Sequence, residues 1–144
     1  MKIDKPTTAL LFGVLSTITY EILTKVLKLL GYAKYSVFEL SSLMITLNRP
    51  NALLGSIIST LLGGSIAILF YNTIIKWLGW ENLIIKSVWI NLLSWVLLEG
   101  LFMWLIEGRN LIPLRPISDY YSHCFSAIIF GIILGLLYQK YLRD

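Results

Sequence analysis

Residues 52–78 read ALLGSIISTLLGGSIAILFYNTIIKWL, twenty-seven positions in which Lys76 is the one charge. About 20 apolar residues in helical form cross the ~30 Å hydrocarbon core of a bilayer. Three further runs, at about 7–30, 83–106 and 120–142, are of the same kind. All four are continuous rather than alternating. In lipid, continuous runs must satisfy their backbone groups internally, so they are helices and not barrel strands. The expected fold is all-α, a four-helix transmembrane bundle forming one domain over residues 1–144.

Composition agrees. Of the 144 residues, 57% are hydrophobic and 14% charged. A water-soluble domain of this size has too much surface to hide that share of apolar side chains, so lipid is the expected solvent and the cell membrane the expected location. The basic flank ahead of the first run carries no small-residue cleavage site, which favours a retained helix over a signal peptide.

Several chemistries are excluded. The single cysteine, Cys124, and the single histidine, His123, rule out an internal disulfide, a thiolate zinc cage and a bis-histidine haem within one chain. His-Glu-x-x-His, Gly-x-Ser-x-Gly and P-loop motifs are missing, so the reading leans away from an enzyme and expects no cofactor. The net charge of +4 comes from cations clustered at helix ends, a pattern for anionic headgroups rather than nucleic acid.

Orientation is tied on charge. Lys2, Lys5, Lys76, Lys86, Lys140 and Arg143 lie on the side of the termini, and Lys25, Lys28, Lys34, Arg49, Arg109 and Arg115 on the other. The positive-inside rule therefore does not choose. Placing Lys25 and Lys28 in a helix end rather than a loop favours cytoplasmic termini. Dual topology is the alternative.

The apolar runs carry polar groups that spanning does not require: Glu21, Asn91, Glu99 and His123. A charge at mid-membrane costs about 2.5–3.5 kcal/mol even on insertion scales. At ~1.5 Å per residue, Glu21, Glu99 and His123 fall in the same leaflet. Each also continues a row of four-residue steps. Ala9, Gly13 and Thr17 lead to Glu21, and Ser87, Asn91 and Trp95 lead to Glu99. The last span holds Asp119, His123, Ala127, Gly131 and Gly135, and the second holds Gly55, Ser59, Gly63 and Ala67 beside Ser56, Thr60 and Gly64. Small residues let transmembrane helices approach closely, so Gly13, Gly55, Gly63, Gly64, Gly131 and Gly135 are expected at packing seams. The two adjacent rows on the second span point to a homo-oligomer, most simply a two-fold dimer.

Together these residues outline a polar pocket of Glu21, Glu99, His123, Asp119, Asn91 and Glu39. It could carry protons or a cation, because buried carboxylates and histidine titrate away from their usual ranges. Imidazole with carboxylates also suits Zn, Fe or Mn, although no ligand spacing supports a metal and its identity stays open. The structural alternative is that each carboxyl bonds a neighbouring helix or pairs with Lys25, Arg109 or Arg115.

Residues 32–51 are too polar to span and too apolar for a free loop. Phe38, Met44 and Leu47 suit one face of an interfacial or re-entrant helix that ends at Asn48-Arg49-Pro50. Pro113 and Pro116 around Arg115 predict a rigid extended crossing.

Gly31-Tyr32, Phe38-Glu39, Asn48-Arg49-Pro50, Gly55, Lys86 with Trp95, and the ending Phe130-Gly131-Ile132-Ile133-Leu134-Gly135-Leu136-Leu137-Tyr138 together carry a resemblance over nearly the whole chain. The sequence resembles an uncharacterised group of small four-span membrane proteins from Gram-positive bacteria. That group places a histidine about one turn before the final Phe/Tyr-Gly. Ala127 stands there in this chain, and His123 lies one turn further upstream. The resemblance implies fold and location and assigns no activity. Two functions are open: movement of a small solute, proton or cation through the pocket, or a scaffold or accessory role in which small-residue faces bind a membrane partner.

Overall fold

A computed structural model describes residues 3–143; Lys2 and Asp144, counted above, lie outside them. The described chain is helical and without strands: α1 (Lys5–Leu29), α2 (Val37–Thr46), α3 (Ala52–Leu78), α4 (Leu83–Leu105) and α5 (Ile117–Tyr141). Four of them, all except α2, are long and apolar enough to cross a membrane. The protein is a polytopic membrane protein built as a helical bundle.

Local chemistry sets the ends. Asp4 caps α1 by accepting from the Thr7 N–H (3.3 Å), with Pro6 in the first turn, where the missing donor costs nothing. Gly31 (φ +85°) closes α1. The Tyr32 N–H bonds the Leu27 carbonyl and the Gly31 N–H bonds that of Lys28, the paired pattern that satisfies the last free carbonyls of a helix. Asn51 caps α3 through the Leu54 N–H. Within α3, residues Phe70–Ile75 form a widened π turn. It swings both Phe70 and Tyr71 onto Tyr138 of α5, at ring separations of 5.7 and 6.2 Å. Where the helical ladder shifts, the buried Tyr138 hydroxyl donates to the Ala67 carbonyl (2.6 Å).

The packing order is α3–α1–α5–α4, with α2 against α3. Backbones touch at the small residues. A Cβ on Gly13 would overlap the Gly63 carbonyl, and one on Gly63 would overlap the Thr17 hydroxyl. In the α4–α5 seam, Cβ atoms on Gly131 and Gly135 would come within 2.7 and 2.9 Å of the Val88 and Ile84 Cα atoms. Gly55 lies against the Phe38 backbone, and a Cβ on Gly64 would come nearest the Leu10 side chain, at 3.3 Å. The row Gly55–Ser59–Gly63–Ala67 is thus consumed inside one chain. The Thr60 hydroxyl of the neighbouring row donates back to the Ser56 carbonyl (2.7 Å).

No long seam joins α3 to α4; α4 touches the α3 helix at its π turn. On the side away from the termini, α2 fills the gap. Leu43 packs with Phe102, Ile106 and Ile112, flanked by Leu40 and Met44.

Gly55→Ala should displace α2 and destabilise the bundle by about 1–3 kcal/mol, the usual range for overpacking against a rigid neighbour. Gly100 is also helical, but a Cβ there meets nothing within 4 Å. Gly100→Ala should be neutral or stabilise by about 0.5–1 kcal/mol. Unfolding of both variants in mixed micelles, followed by helical circular dichroism, checks the contrast.

Candidate functional site: a pinned re-entrant segment above a half-open cavity

The chain leaving α1 turns back into the bundle. Residue 37, the first of α2, lies beside Thr24, and residue 38 beside Glu21. Glu21 stands eight positions before Leu29, about 12 Å along the helix axis. Ser36 and Val37 are buried and Lys34, Tyr35 and Phe38 half-buried there, and side chains serve the peptide groups of residues 34–38. The Phe38 N–H donates to Glu21 Oε2 (2.9 Å) and the Val37 N–H to Thr24 Oγ1 (3.0 Å). From α5, Asp119 Oδ1 accepts from the Lys34 and Tyr35 N–H groups (2.6 and 3.4 Å). His123 Nε2 lies 3.0 Å from the Tyr35 carbonyl. That nitrogen must carry the proton, since a carbonyl only accepts. The Tyr20 hydroxyl lies 3.4 Å from Nδ1 of the same ring.

The start of α2 is also capped from within. Ser36 and Glu39 form a reciprocal capping box, which satisfies two of the free amides of a helix N-terminus. Lys28 Nζ donates to both Glu39 oxygens at 2.8 Å. Glu39 therefore faces α1 and the cap.

Beside this segment lies an ionic cluster centred on Arg115, whose side chain is fully buried. Its Nε donates to Glu107 Oε1 (2.6 Å), its Nη1 to Asp119 Oδ2 (2.8 Å) and its Nη2 to Glu99 Oε2. The guanidinium sits 4.8 Å from the Phe102 ring centre and 4.4 Å from that of Tyr120, a stacking role that suits arginine better than lysine. Burial alone would lower the Arg115 pKa, but hydrogen bonds and charge from Glu99 and Glu107 hold it above its ordinary value. The Tyr35 phenol is pushed up by burial and then by the negative charge of Asp119.

Beneath α2 lies a cavity of about 100 Å³ lined by residues of all five helices. Its wall is mainly apolar and aromatic, with Tyr20, Leu62, Ile66, Trp95, Phe102 and Phe130 among its residues. Asn91, Ser94, Glu99, His123 and the hydrogen-bonded pair Ser41–Ser59 (2.7 Å) supply its polar groups. Asn91 donates to the Ser87 carbonyl (2.8 Å). The buried Trp95 Nε1 has no hydrogen-bond partner.

The structure divides the six residues outlined as one polar pocket between two places. Glu99, His123 and Asn91 line the cavity; Glu21, Asp119 and Glu39 do not, and instead hold the backbone that forms its roof. The reason is competition: unpaired amides at depth claim the nearest carboxylates before a solute can. Among the described residues, no three His, Cys, Asp or Glu side chains converge in an arrangement for a metal ion. Arg115 as a hub, Glu107, Thr24 and Tyr20 were not singled out from the sequence as members of a site. The available signal was a lone arginine placed two residues before a helix whose first turn carries Asp119. No protein-family model, curated protein or solved structure matches this chain.

Arg115→Met should strand Glu107 and Asp119 without their counter-charge and cost about 3–5 kcal/mol. Arg115→Lys should fail to rescue, because one ammonium cannot reproduce a three-way planar fork. Glu21→Gln keeps an acceptor for the Phe38 amide and should shift stability by less than about 0.5 kcal/mol, whereas Glu21→Ala should cost about 1–2 kcal/mol. Unfolding midpoints of the four variants in one detergent give the comparison.

Proposed function

We propose that this protein handles a small solute or ion in the cell membrane, with the cavity beneath α2 as its binding compartment and α2 as the re-entrant plug above it. The half-open cavity carries this reading. It sets Asn91, Glu99, His123 and the Ser41–Ser59 pair around one space otherwise walled by apolar side chains. Ligand compartments have this make-up, a mostly apolar wall with a few placed polar groups. Irregular backbone held at membrane depth also belongs beside a protein-lined cavity.

The distribution of bonds suggests where the plug would yield. α2 is hydrogen-bonded to α1, through Glu21, Thr24 and Lys28, and to α3 through Ser59. Toward α4, Leu43 packs against the apolar side chains of Phe102 and Ile106. An apolar seam slides without breaking directional bonds, so α4 moving against α2 is the gate in this proposal. The termini lie in the cytoplasm in this reading, which puts the plug and the Arg115 cluster near the outer surface. The resemblance to small four-span proteins of Gram-positive bacteria fits a protein of this size and place.

The test uses a Cys124→Ala background carrying Ser94→Cys in sealed vesicles, since Ser94 is half-buried in the cavity wall. A charged, membrane-impermeant thiol reagent should label it, and should do so from one side only. Labelling by an apolar maleimide alone would mean that lipid fills the space, and solute handling would be wrong. Labelling by neither reagent would mark a cavity covered by a second copy or a partner helix, the accessory-subunit alternative. Cysteines placed at Ile3 and Arg143 in the same background should both react from the cytoplasmic side, as four spans require for the pair to agree.

A further inference from the structure

The Arg115 cluster is unbalanced. One guanidinium faces the carboxylates of Glu99, Glu107 and Asp119, so full ionisation leaves two negative charges in excess inside the bundle. Other cations on this side have contacts of their own: Lys34 Nζ lies over the Tyr35 ring at 5.5 Å, Lys28 is held by Glu39, and Arg109 lies over the Trp104 ring at 6.0 Å. Low-dielectric surroundings amplify such an excess, since the interaction of two charges grows as the dielectric falls.

The three carboxylates are not equivalent. Glu107 and Asp119 are fully enclosed and have donors beyond the guanidinium, the Tyr120 hydroxyl for Glu107 and the Lys34 and Tyr35 amides for Asp119. Glu99 accepts from Arg115, and the bond to its Oε1 is long at 3.4 Å. Its side chain keeps 12% exposure and stands in the cavity wall. The excess charge of the cluster is therefore presented to the cavity at Glu99. The rings of Tyr20, Trp95 and Phe130 line the same cavity, and aromatic faces attract cations. Apolar residues of both α3 and α4 line the cavity, Leu62 and Ile66 on one and Leu98 and Phe102 on the other, and no long seam joins those two helices.

We propose that the cavity binds a monovalent organic cation with an apolar tail, the cationic head beside Glu99 and the tail against the apolar side chains of α3 and α4. This rests on the cavity being a solute compartment and adds the charge of its ligand. An anion is disfavoured because Arg115 is already engaged by three carboxylates. A neutral chain would leave the excess charge unanswered.

The experiment is equilibrium binding of hexyltrimethylammonium to the intact protein in neutral-lipid nanodiscs, with empty nanodiscs subtracted. Hexanol and hexanesulfonate serve as competitors of matched tail. The quaternary head stays charged at every pH, so binding reports charge preference rather than proton transfer. The ammonium should displace bound label at least about tenfold more effectively than hexanol, the scale of one partly desolvated charge interaction. Glu99→Gln should remove that preference. Because Glu99→Gln could also loosen α4, Ser94→Phe supplies a second arm. It fills the cavity, leaves the Glu99–Arg115 pair in place, and should abolish binding of all three compounds. Equal competition by hexanol, stronger competition by hexanesulfonate, or an unchanged ammonium preference in Glu99→Gln would each overturn the cation assignment. None of these results depends on whether the charged thiol reagent reaches Ser94→Cys, so the two readings fail separately.

Discussion

The peptide groups of residues 34–38 need partners in a place where water is scarce, and the interior of this protein is organised around that need. A buried amide without an acceptor costs on the order of 1–3 kcal/mol. The four such amides of Lys34, Tyr35, Val37 and Phe38 would together cost several kcal/mol. Glu21, Thr24, Asp119 and His123 remove that cost from two directions, α1 and α5. Three of these four side chains look expensive in a transmembrane segment considered alone. In the bundle each answers a backbone group, so the polar side chains and the re-entrant chain make each other affordable.

Arg115 extends this frame to the other half of the bundle. Asp119 holds the Lys34 and Tyr35 amides with one oxygen and the guanidinium with the other. The guanidinium in turn reaches Glu99 on α4 and Glu107 just after it. A continuous chain of charge-assisted bonds thus runs from the re-entrant segment through α5 to α4. Charge-assisted bonds are the stronger kind, and a buried network of them is costly to break at any one member. Their concentration on one side of α2 leaves its α4 side with apolar contacts, and the cavity lies beneath that weaker seam.

The opposite end is held differently. Tyr138 is fully buried, stacks against Phe70 and donates its hydroxyl to the Ala67 carbonyl. The glycine contacts of α1 with α3 and of α4 with α5 bring backbones together over the mid-section. Close helix approach does the work in lipid that apolar burial does in water. The half of the molecule near the termini is therefore a close-packed base, and the half near α2 is a polar scaffold with space beneath it.

Much of this was legible along the chain. The four spans could be read from the length and continuity of the apolar runs, because the bilayer thickness is a fixed ruler and helical hydrogen bonds are local. The rows ending at Glu21, Glu99 and His123 could be placed on inward faces, because a four-residue step keeps one side of a helix. The helix at Val37–Thr46 could be placed between the first two spans by its mixed polarity. What no local pattern contains is the pairing. Glu21 meets Phe38, seventeen positions away; Asp119 meets Lys34 across 85 and His123 meets Tyr35 across 88. Carboxylates in one leaflet read as one pocket, but whether each faces a cavity, a guanidinium or an amide depends on which helices stand side by side. The order α3–α1–α5–α4, with no long seam between α3 and α4, decided that. It let the segment after α1 fold back between its neighbours, and unsatisfied backbone took the nearest acids, leaving Glu99, among the described residues, as the carboxylate in the cavity wall.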